Sequence, residues 1–151
     1  MKAAAKKIVI IGAGPAGLAA ALRLRDRGER DIVLLERERE PGGILRQCIH
    51  DGFGLTRFGE TLSGPEYAAR FTERAAGLGL EIVTGATVIG LTTDRVVTAA
   101  TREGLRVYQA QAVILAMDPR RTFHPGATAL RHLYRRGCPG LYESQKHHGG
   151  P

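Results

Sequence analysis

Residues 8–17 read Ile-Val-Ile-Ile-Gly-Ala-Gly-Pro-Ala-Gly, and this stretch decides the fold of the chain. Four β-forming residues run into a glycine loop, residues 12–17, with the spacing Gly-x-Gly-x-x-Gly, and a helical pattern follows to about residue 27. Gly28 stands where a glycine commonly ends a helix, and the next apolar run closes on Glu36. This order of strand, glycine turn, helix, strand and acid predicts a dinucleotide-binding βαβ unit.

Each part of this unit has a physical role. Gly12 permits a tight turn, Gly14 lets the backbone approach a pyrophosphate, and Gly17 lets the helix lie close to the strand. Pro15 suits a first helical turn, whose free N–H groups and positive dipole end attract phosphate. Glu36 would accept a hydrogen bond from a ribose hydroxyl. The alternative is an ordinary strand–turn–helix with an incidental glycine loop.

Length and composition fit one domain with a modest core: the chain has 151 residues, of which 43% are hydrophobic. No apolar run approaches the roughly 20 residues that a membrane span needs. The first seven residues lead directly into the first strand, so we do not interpret them as a secretory signal. Cys48 and Cys138 lie far apart without a Cys-x-x-Cys spacing, which favours a reduced, cytoplasmic protein and gives no support for a dithiol pair.

The remaining elements are predicted from periodicity and turn residues. Paired glycines at 42 and 43 allow another close backbone approach to a ligand, or form a plain loop. Ser63 and Glu66 have capping-box spacing, and residues 64–78 form an amphipathic helix. We assign its apolar stripe to the core; its members are Tyr67, Phe71, Ala75 and Leu78. The predicted strands are a parallel one at 80–84, short antiparallel ones at 87–90, 95–98 and 105–110, and a buried one at 111–116.

Taken in order, several segments resemble those of the pyridine nucleotide-disulfide oxidoreductase superfamily, the two-dinucleotide flavoproteins. They are the glycine loop, Glu36, Pro41-Gly42-Gly43, Thr84-Gly-Ala-Thr-Val88 and Ala112-Val-Ile-Leu-Ala-Met117. The resemblance covers residues 7–117. Residues 43–54 and 62–68 are similar to a bacterial FAD/NAD(P)-binding oxidoreductase group. That group is related to the flavin subunits of opine, cyanide-forming and sarcosine-type oxidases and is often linked with anaerobic glycerol phosphate oxidation.

The resemblance implies an α/β fold: a Rossmann-like FAD-binding βαβ domain with a parallel sheet and a small antiparallel β-meander, incomplete relative to the family. It implies FAD at the glycine loop, with Glu36 at the adenosine ribose and the Val88 backbone at the adenine. The residues alone leave FAD and NAD open, because both present a pyrophosphate and a ribose diol. The cofactor-binding residues implied are Gly12, Gly14, Pro15, Ala16, Gly17, Glu36, Arg37, Gly42, Gly43, Val88 and Ala116.

Two side chains in the loop after the paired glycines are candidates for chemistry. Cys48 could act as a thiolate and His50 could move protons near neutral pH. The simpler interpretations are a cysteine without direct chemistry and a histidine that anchors the loop. Arg46 would offset cofactor charge or remain solvated. We predict no metal site.

Composition changes abruptly after Met117. Residues 118–151 carry 6 Lys+Arg against 2 Asp+Glu, with four of the five histidines. We therefore divide the chain into an FAD-binding part, residues 1–117, and an irregular basic tail, residues 118–151. The family continues into a second, NAD(P)-binding βαβ unit, and this sequence has no second Gly-x-Gly-x-x-Gly.

A shifted reading frame would explain the tail. Moved forward by one base, codons for residues 130–139 can encode Ser-Gly-Ile-Phe-Thr-Ala-Gly-Val-Ala-Gln, close to the segment that the family carries there. His-Pro-Gly at 124–126 can likewise become Ile-Pro-Gly. The alternative is a genuine basic tail that is solvated or meets nucleic acid; we favour nucleic acid least, because no recognition fold accompanies the arginines.

We expect an FAD-dependent oxidoreductase that passes hydride or electrons between nicotinamide or a substrate and flavin, and whose activity as a truncated chain is open. NAD(P) would bind only through a second domain. The alternative is a non-catalytic dinucleotide-binding or electron-transfer subunit of a larger dehydrogenase or oxidase complex. The expected partners are FAD and another oxidoreductase subunit. The sequence specifies neither the substrate, the choice of NADH or NADPH, nor the oligomeric state.

Overall fold

The computed structural model describes residues 3–117. Along the chain it contains eight strands, three α-helices and a 3₁₀ helix, Gly43–Gln47, within that range. The strands are β1 (Ala4–Ile11), β2 (Ile32–Leu35), β3 (Asp51–Phe53), β4 (Leu62–Ser63), β5 (Glu81–Val83), β6 (Thr87–Leu91), β7 (Val96–Thr101) and β8 (Gly104–Leu115). The helices are α1 (Pro15–Asp26), α2 (Leu55–Phe58) and α3 (Gly64–Gly77).

The predicted βαβ unit is present. Strands β1 and β2 pair in parallel, from Ile8 opposite Ile32 to Ile11 opposite Leu35. Helix α1 connects them, begins with Pro15 in its first turn and is followed by Gly28 at φ +90°. Glycine reaches this left-handed conformation without a Cβ clash, which is why the helix ends here.

The main sheet has six strands in the order β5-β2-β1-β8-β7-β6. The first four are parallel, and β7 and β6 continue the sheet as an antiparallel meander. A separate two-stranded sheet joins β3 and β4. The fold is therefore the expected α/β arrangement, a mainly parallel sheet with a small antiparallel part.

Each face of the main sheet has its own apolar core. On one face, Ile10, Leu18 and Phe71 belong to a cluster in which residues of α1 and α3 cover the parallel strands. On the other, Val9, Val97 and Tyr108 belong to a cluster that joins the parallel strands to the meander. Strands covered on both faces read as continuous apolar runs, and all four residues of β2 are buried.

Helix α3 matches its predicted bounds closely, with a capping box at its start. The Glu66 carboxylate accepts hydrogen bonds from the Ser63 N–H at 2.8 Å and the Ser63 hydroxyl at 2.7 Å. Phe71 and Ala75 are buried, and Tyr67 packs against the same core. The prediction that Leu78 belongs to the core stripe was wrong: it follows the last helical residue and is 37% exposed.

The prediction of two strands over residues 105–116 was also wrong. A single strand, β8, pairs with β7 through its first half and with β1 through its second, and Tyr108 and Gln109 pair with both. Burial of its end was overestimated as well, because Leu115 is 59% exposed. Among residues 3–117, only β1 pairs with this end of β8, so one strand edge and part of each face lie open.

No helix within the described range is both long and apolar enough to cross a membrane.

Candidate functional site

The glycine loop lies at the carboxyl end of β1, the edge where open parallel sheets bind ligands. Gly12 has φ +101°, and a Cβ there would lie 2.8 Å from the Ala116 carbonyl oxygen. A Cβ on Gly17 would lie only 1.9 Å from the Gly12 carbonyl oxygen. These two glycines are therefore required by the close packing of the turn, α1 and the end of β8.

Gly14 differs from its two neighbours in the motif. It is the N-cap of α1, and the nearest atom to a Cβ built there would be the Gly43 Cα, 3.9 Å away. Because protein atoms do not crowd this side of Gly14, it can face a ligand. Ala16 and Gly17 follow in the first turn, where backbone N–H groups have no acceptor within the helix. Pro15 has no N–H to satisfy.

Glu36 holds the glycine loop to β2. It is 7% exposed; one carboxylate oxygen accepts from the Ala13 N–H at 2.8 Å and the other from the Glu38 N–H at 2.9 Å. A carboxylate has about four lone-pair positions, so acceptor capacity remains for a ligand. Sequence reasoning missed Ala13, which is fully buried; the only signal was that a small residue stands between the first two glycines.

The paired glycines, Gly42 and Gly43, contact the glycine loop directly. The Gly42 N–H donates to the Ala13 carbonyl at 2.8 Å, and Gly43 lies against Gly14. Both adopt positive φ, +119° and +62°, which only glycine enters without strain. Ala116 completes the group, since its N–H donates to the Ile11 carbonyl at 2.8 Å. The structure thus brings together residues from three separate segments that the sequence assigned to one site.

Arg37 follows the end of β2, and the segment that leads to Val88 lies beside it. The Ala86 N–H donates to the Glu36 carbonyl at 2.8 Å, which places the segment before Val88 beside the end of β2. Val88 itself is half-buried in β6 and packs against the core. Arg37 is exposed and forms an ion pair with Glu38 at 3.1 Å.

Cys48 and His50 have local partners. The Cys48 Sγ lies 3.5 Å from the Ile44 carbonyl, and its own carbonyl accepts from the Gly64 N–H at 2.9 Å. The exposed His50 ring lies 3.1 Å from the Asp51 carbonyl through Nδ1 and 5.2 Å from the Phe53 ring, centre to centre. Arg46 pairs with Glu40. Cys138 lies outside the described residues, and the part of the chain that the structure describes has no cluster of metal-ligating side chains.

A model of the pyridine nucleotide-disulphide oxidoreductase family matches residues 6–143. This chain belongs to that family. The match begins in β1 and includes the glycine loop, Glu36 and the end of β8, so the assembled site lies wholly inside it. It also includes part of the segment after Met117.

Two solved structures have a similar fold. Bacillithiol disulfide reductase from Bacillus cereus superposes with a TM-score of 0.66 at 19% identity, over 82% of this chain and 44% of that one. Thioredoxin reductase from Lactococcus lactis has a TM-score of 0.57 at 31% identity, over 80% of this chain and 39% of that one. The chain therefore spans less than half the length of either structure.

A curated relative matches over a shorter stretch. The NAD-dependent dihydropyrimidine dehydrogenase subunit PreT of Escherichia coli K12 is 51% identical over 43 residues, 28% of this chain and a tenth of that protein. In this member of the family, the described residues supply an uncrowded side of Gly14, helical N–H donors and a buried acid. This set can hold a dinucleotide; it contains no assembled acid–base or nucleophilic pair within residues 3–117.

Proposed function

We propose that this chain binds FAD at the glycine loop and supplies the FAD-binding part of an oxidoreductase. The observation that carries the proposal is the contrast within the loop. Neighbouring backbone atoms occupy the space that a Cβ would need at Gly12 or Gly17. The corresponding space beside Gly14 is open, at the N-terminus of α1. An open cradle at a helix N-terminus is the arrangement that binds a pyrophosphate.

The residues present fit FAD at three parts of the cofactor site. The N–H groups of Ala16 and Gly17 would meet the pyrophosphate together with the dipole of α1. Glu36 would accept from the adenosine ribose with the lone pairs that Ala13 and Glu38 leave unused. Gly42 and Gly43 would line the cofactor with bare backbone, and by the family resemblance the Val88 backbone would meet the adenine, with Arg37 and Ala116 as further contacts.

When bound, FAD supplies hydride and electron transfer, and the protein supplies position and electrostatics. The described residues bind and orient: the packing of Gly12 and Gly17 fixes the turn, and Glu36 fixes the loop against β2. We assign no proton transfer to Cys48 or His50, because their side chains contact carbonyls of neighbouring residues, Ile44 and Asp51, and not the glycine loop.

Binding of the isolated cofactor tests the proposal. Titration of the purified chain with FAD, NAD and ADP, followed by equilibrium dialysis, is expected to show saturable FAD binding that is tighter than binding of NAD. Flavin fluorescence provides a second readout of the same equilibrium. Failure of the chain to bind any of the three ligands, FAD, NAD or ADP, would contradict the proposal.

The second candidate is a non-catalytic dinucleotide-binding or electron-transfer subunit. It is favoured by the relative PreT, which is named as a subunit. Bleaching of the bound flavin by NADH or NADPH without any partner would support a complete enzyme. Flavin that stays oxidised with both nucleotides but is reduced after a partner subunit is added would support the subunit.

A further inference from the structure

A cavity of about 270 Å³ lies beside the carboxyl ends of β2 and β5, and its lining includes three arginines and no residue of the glycine loop. We call it the arginine cavity. The lining residues that matter here are Arg39, Thr84, Gly85, Arg102, Glu103 and Arg106. They come from three separate parts of the chain: the loop after β2, the loop after β5, and the turn between β7 and β8 together with the start of β8, which carries Arg106.

Hydrogen bonds hold these three parts in place. The Gly85 N–H donates to the Glu38 carbonyl at 2.9 Å, which ties the loop that carries Arg39 to the end of β5. The β7–β8 turn is closed by the Thr101 hydroxyl, which donates to the Gly104 carbonyl at 2.8 Å. The backbone segments that carry the three exposed arginines are therefore fixed by hydrogen bonds between or within them.

The charges around the cavity are unbalanced. Arg106 forms an ion pair with Glu103 at 2.5 Å, and Glu103 is the one acidic residue in the lining. Within residues 3–117, neither Arg39 nor Arg102 has a carboxylate within ion-pair distance. Three guanidinium groups against one carboxylate leave a net charge of +2 at a single opening. A net positive charge at an opening attracts anions, and guanidinium groups match oxyanion geometry especially well.

We propose that the arginine cavity binds a small oxyanion of the phosphate class, either a free ion or the phosphate group of a small metabolite. Arg39 and Arg102 donate the charged hydrogen bonds, and the Thr84 hydroxyl, which has no recorded partner among the described residues, donates a third. The volume is below the usual range for whole-cofactor pockets, which suits a phosphate group. This site does not depend on FAD binding at the glycine loop.

Calorimetric titration of the full chain with inorganic phosphate and pyrophosphate, at low ionic strength and without FAD, tests the site. Saturable binding is expected, and R39Q or R102Q is each expected to weaken it about tenfold, the usual effect of losing one charged hydrogen bond. R57Q is the matched control: Arg57 is exposed on α2, does not line the cavity and has no recorded ion pair among the described residues.

Three outcomes would overturn the proposal. The first is absence of saturable binding of either ion. The second is equal affinity in wild type, R39Q, R102Q and R57Q, which indicates general attraction to a basic surface. The third is an affinity for the ion that is unchanged in the arginine variants but is abolished by added FAD. That result would place the ion on the glycine loop. The free-ion and metabolite sources are separated by repeating the titration with a sugar phosphate and its unphosphorylated sugar.

Discussion

Gly14 and Gly17 stand three residues apart in one loop, and their surroundings differ. Gly17 is enclosed by the Gly12 carbonyl, whereas a methyl group on Gly14 would meet nothing closer than 3.9 Å. At the residue scale, therefore, one glycine is required for folding and the other is free to serve a ligand. The sequence predicts both glycines from spacing, but only the structure separates their roles, since that depends on where the end of β8 and the paired glycines pack.

Gly17→Ala tests the folding role. The added methyl would overlap the Gly12 carbonyl, so we expect a loss of about 1–3 kcal/mol of unfolding free energy in urea denaturation without FAD. Gly77→Ala is the control, because a methyl there meets nothing within 4 Å at the end of α3, and it should be neutral or stabilising. Equal stability of Gly17→Ala and wild type would contradict the packing described for this turn.

Local sequence patterns predict the bounds of the helices well but not those of every strand. The bounds of α1 and α3 follow from local signals: Pro15 and Gly28 for one, Ser63 and Glu66 for the other. The sequence predicts two strands, at 105–110 and 111–116, where the structure has the single strand β8. The first half of β8 pairs with β7 and the second with β1, and this change of partner is a tertiary feature that no local signal contains.

Ser63→Ala tests the cap of α3. Loss of the Ser63 hydroxyl is expected to reduce stability by about 1 kcal/mol at neutral pH. The Ser63 hydroxyl and N–H both donate to Glu66 and lower the pKa of its carboxyl. A carboxyl whose pKa is lower in the folded state stabilises the fold at pH values above its pKa in the unfolded state. This contribution disappears as the pH falls through its pKa in the folded state. The difference between Ser63→Ala and wild type in thermal unfolding should therefore shrink on acidification.

The control for this prediction is Ser63→Thr, which keeps a hydroxyl at the N-cap and should retain most of the stability and its pH dependence. A Ser63→Ala difference that stays constant down to pH 3 would show that Glu66 takes no part in the cap.

For the whole molecule, residues 3–117 form a βαβ-based sheet whose β8 edge is open beyond Gln109 within the described range. The division at residue 117 into an FAD-binding part and a basic tail stays a prediction, because it falls where the described residues end. The sequence predicts the fold class and the cofactor loop because each depends on short, local motifs. It does not reveal the Ala13–Glu36 bond or the arginine cavity, which depend on distant segments.

The nucleotide sequence of the gene tests the shifted-frame hypothesis for the tail. We expect a continuous frame, one base forward, that encodes family-like residues over the codons for residues 124–139. The family match reaches residue 143 in the frame as it stands, so the two frames should be compared over the same codons. A shifted frame that is interrupted by stop codons, or that lacks the family-like segment, would refute the hypothesis.

The most direct test of the central claim is the FAD affinity of Gly14→Ala, with Gly77→Ala as the matched control. The Gly14 methyl would occupy the open side of the cradle without striking protein atoms, so the fold should persist. FAD binding should weaken about tenfold or more, because the methyl would crowd the pyrophosphate, and overpacking of a close contact typically costs about 1–3 kcal/mol. Gly77→Ala should bind FAD like wild type. Unchanged FAD affinity in a folded Gly14→Ala chain would contradict the assignment of the glycine loop as the flavin site.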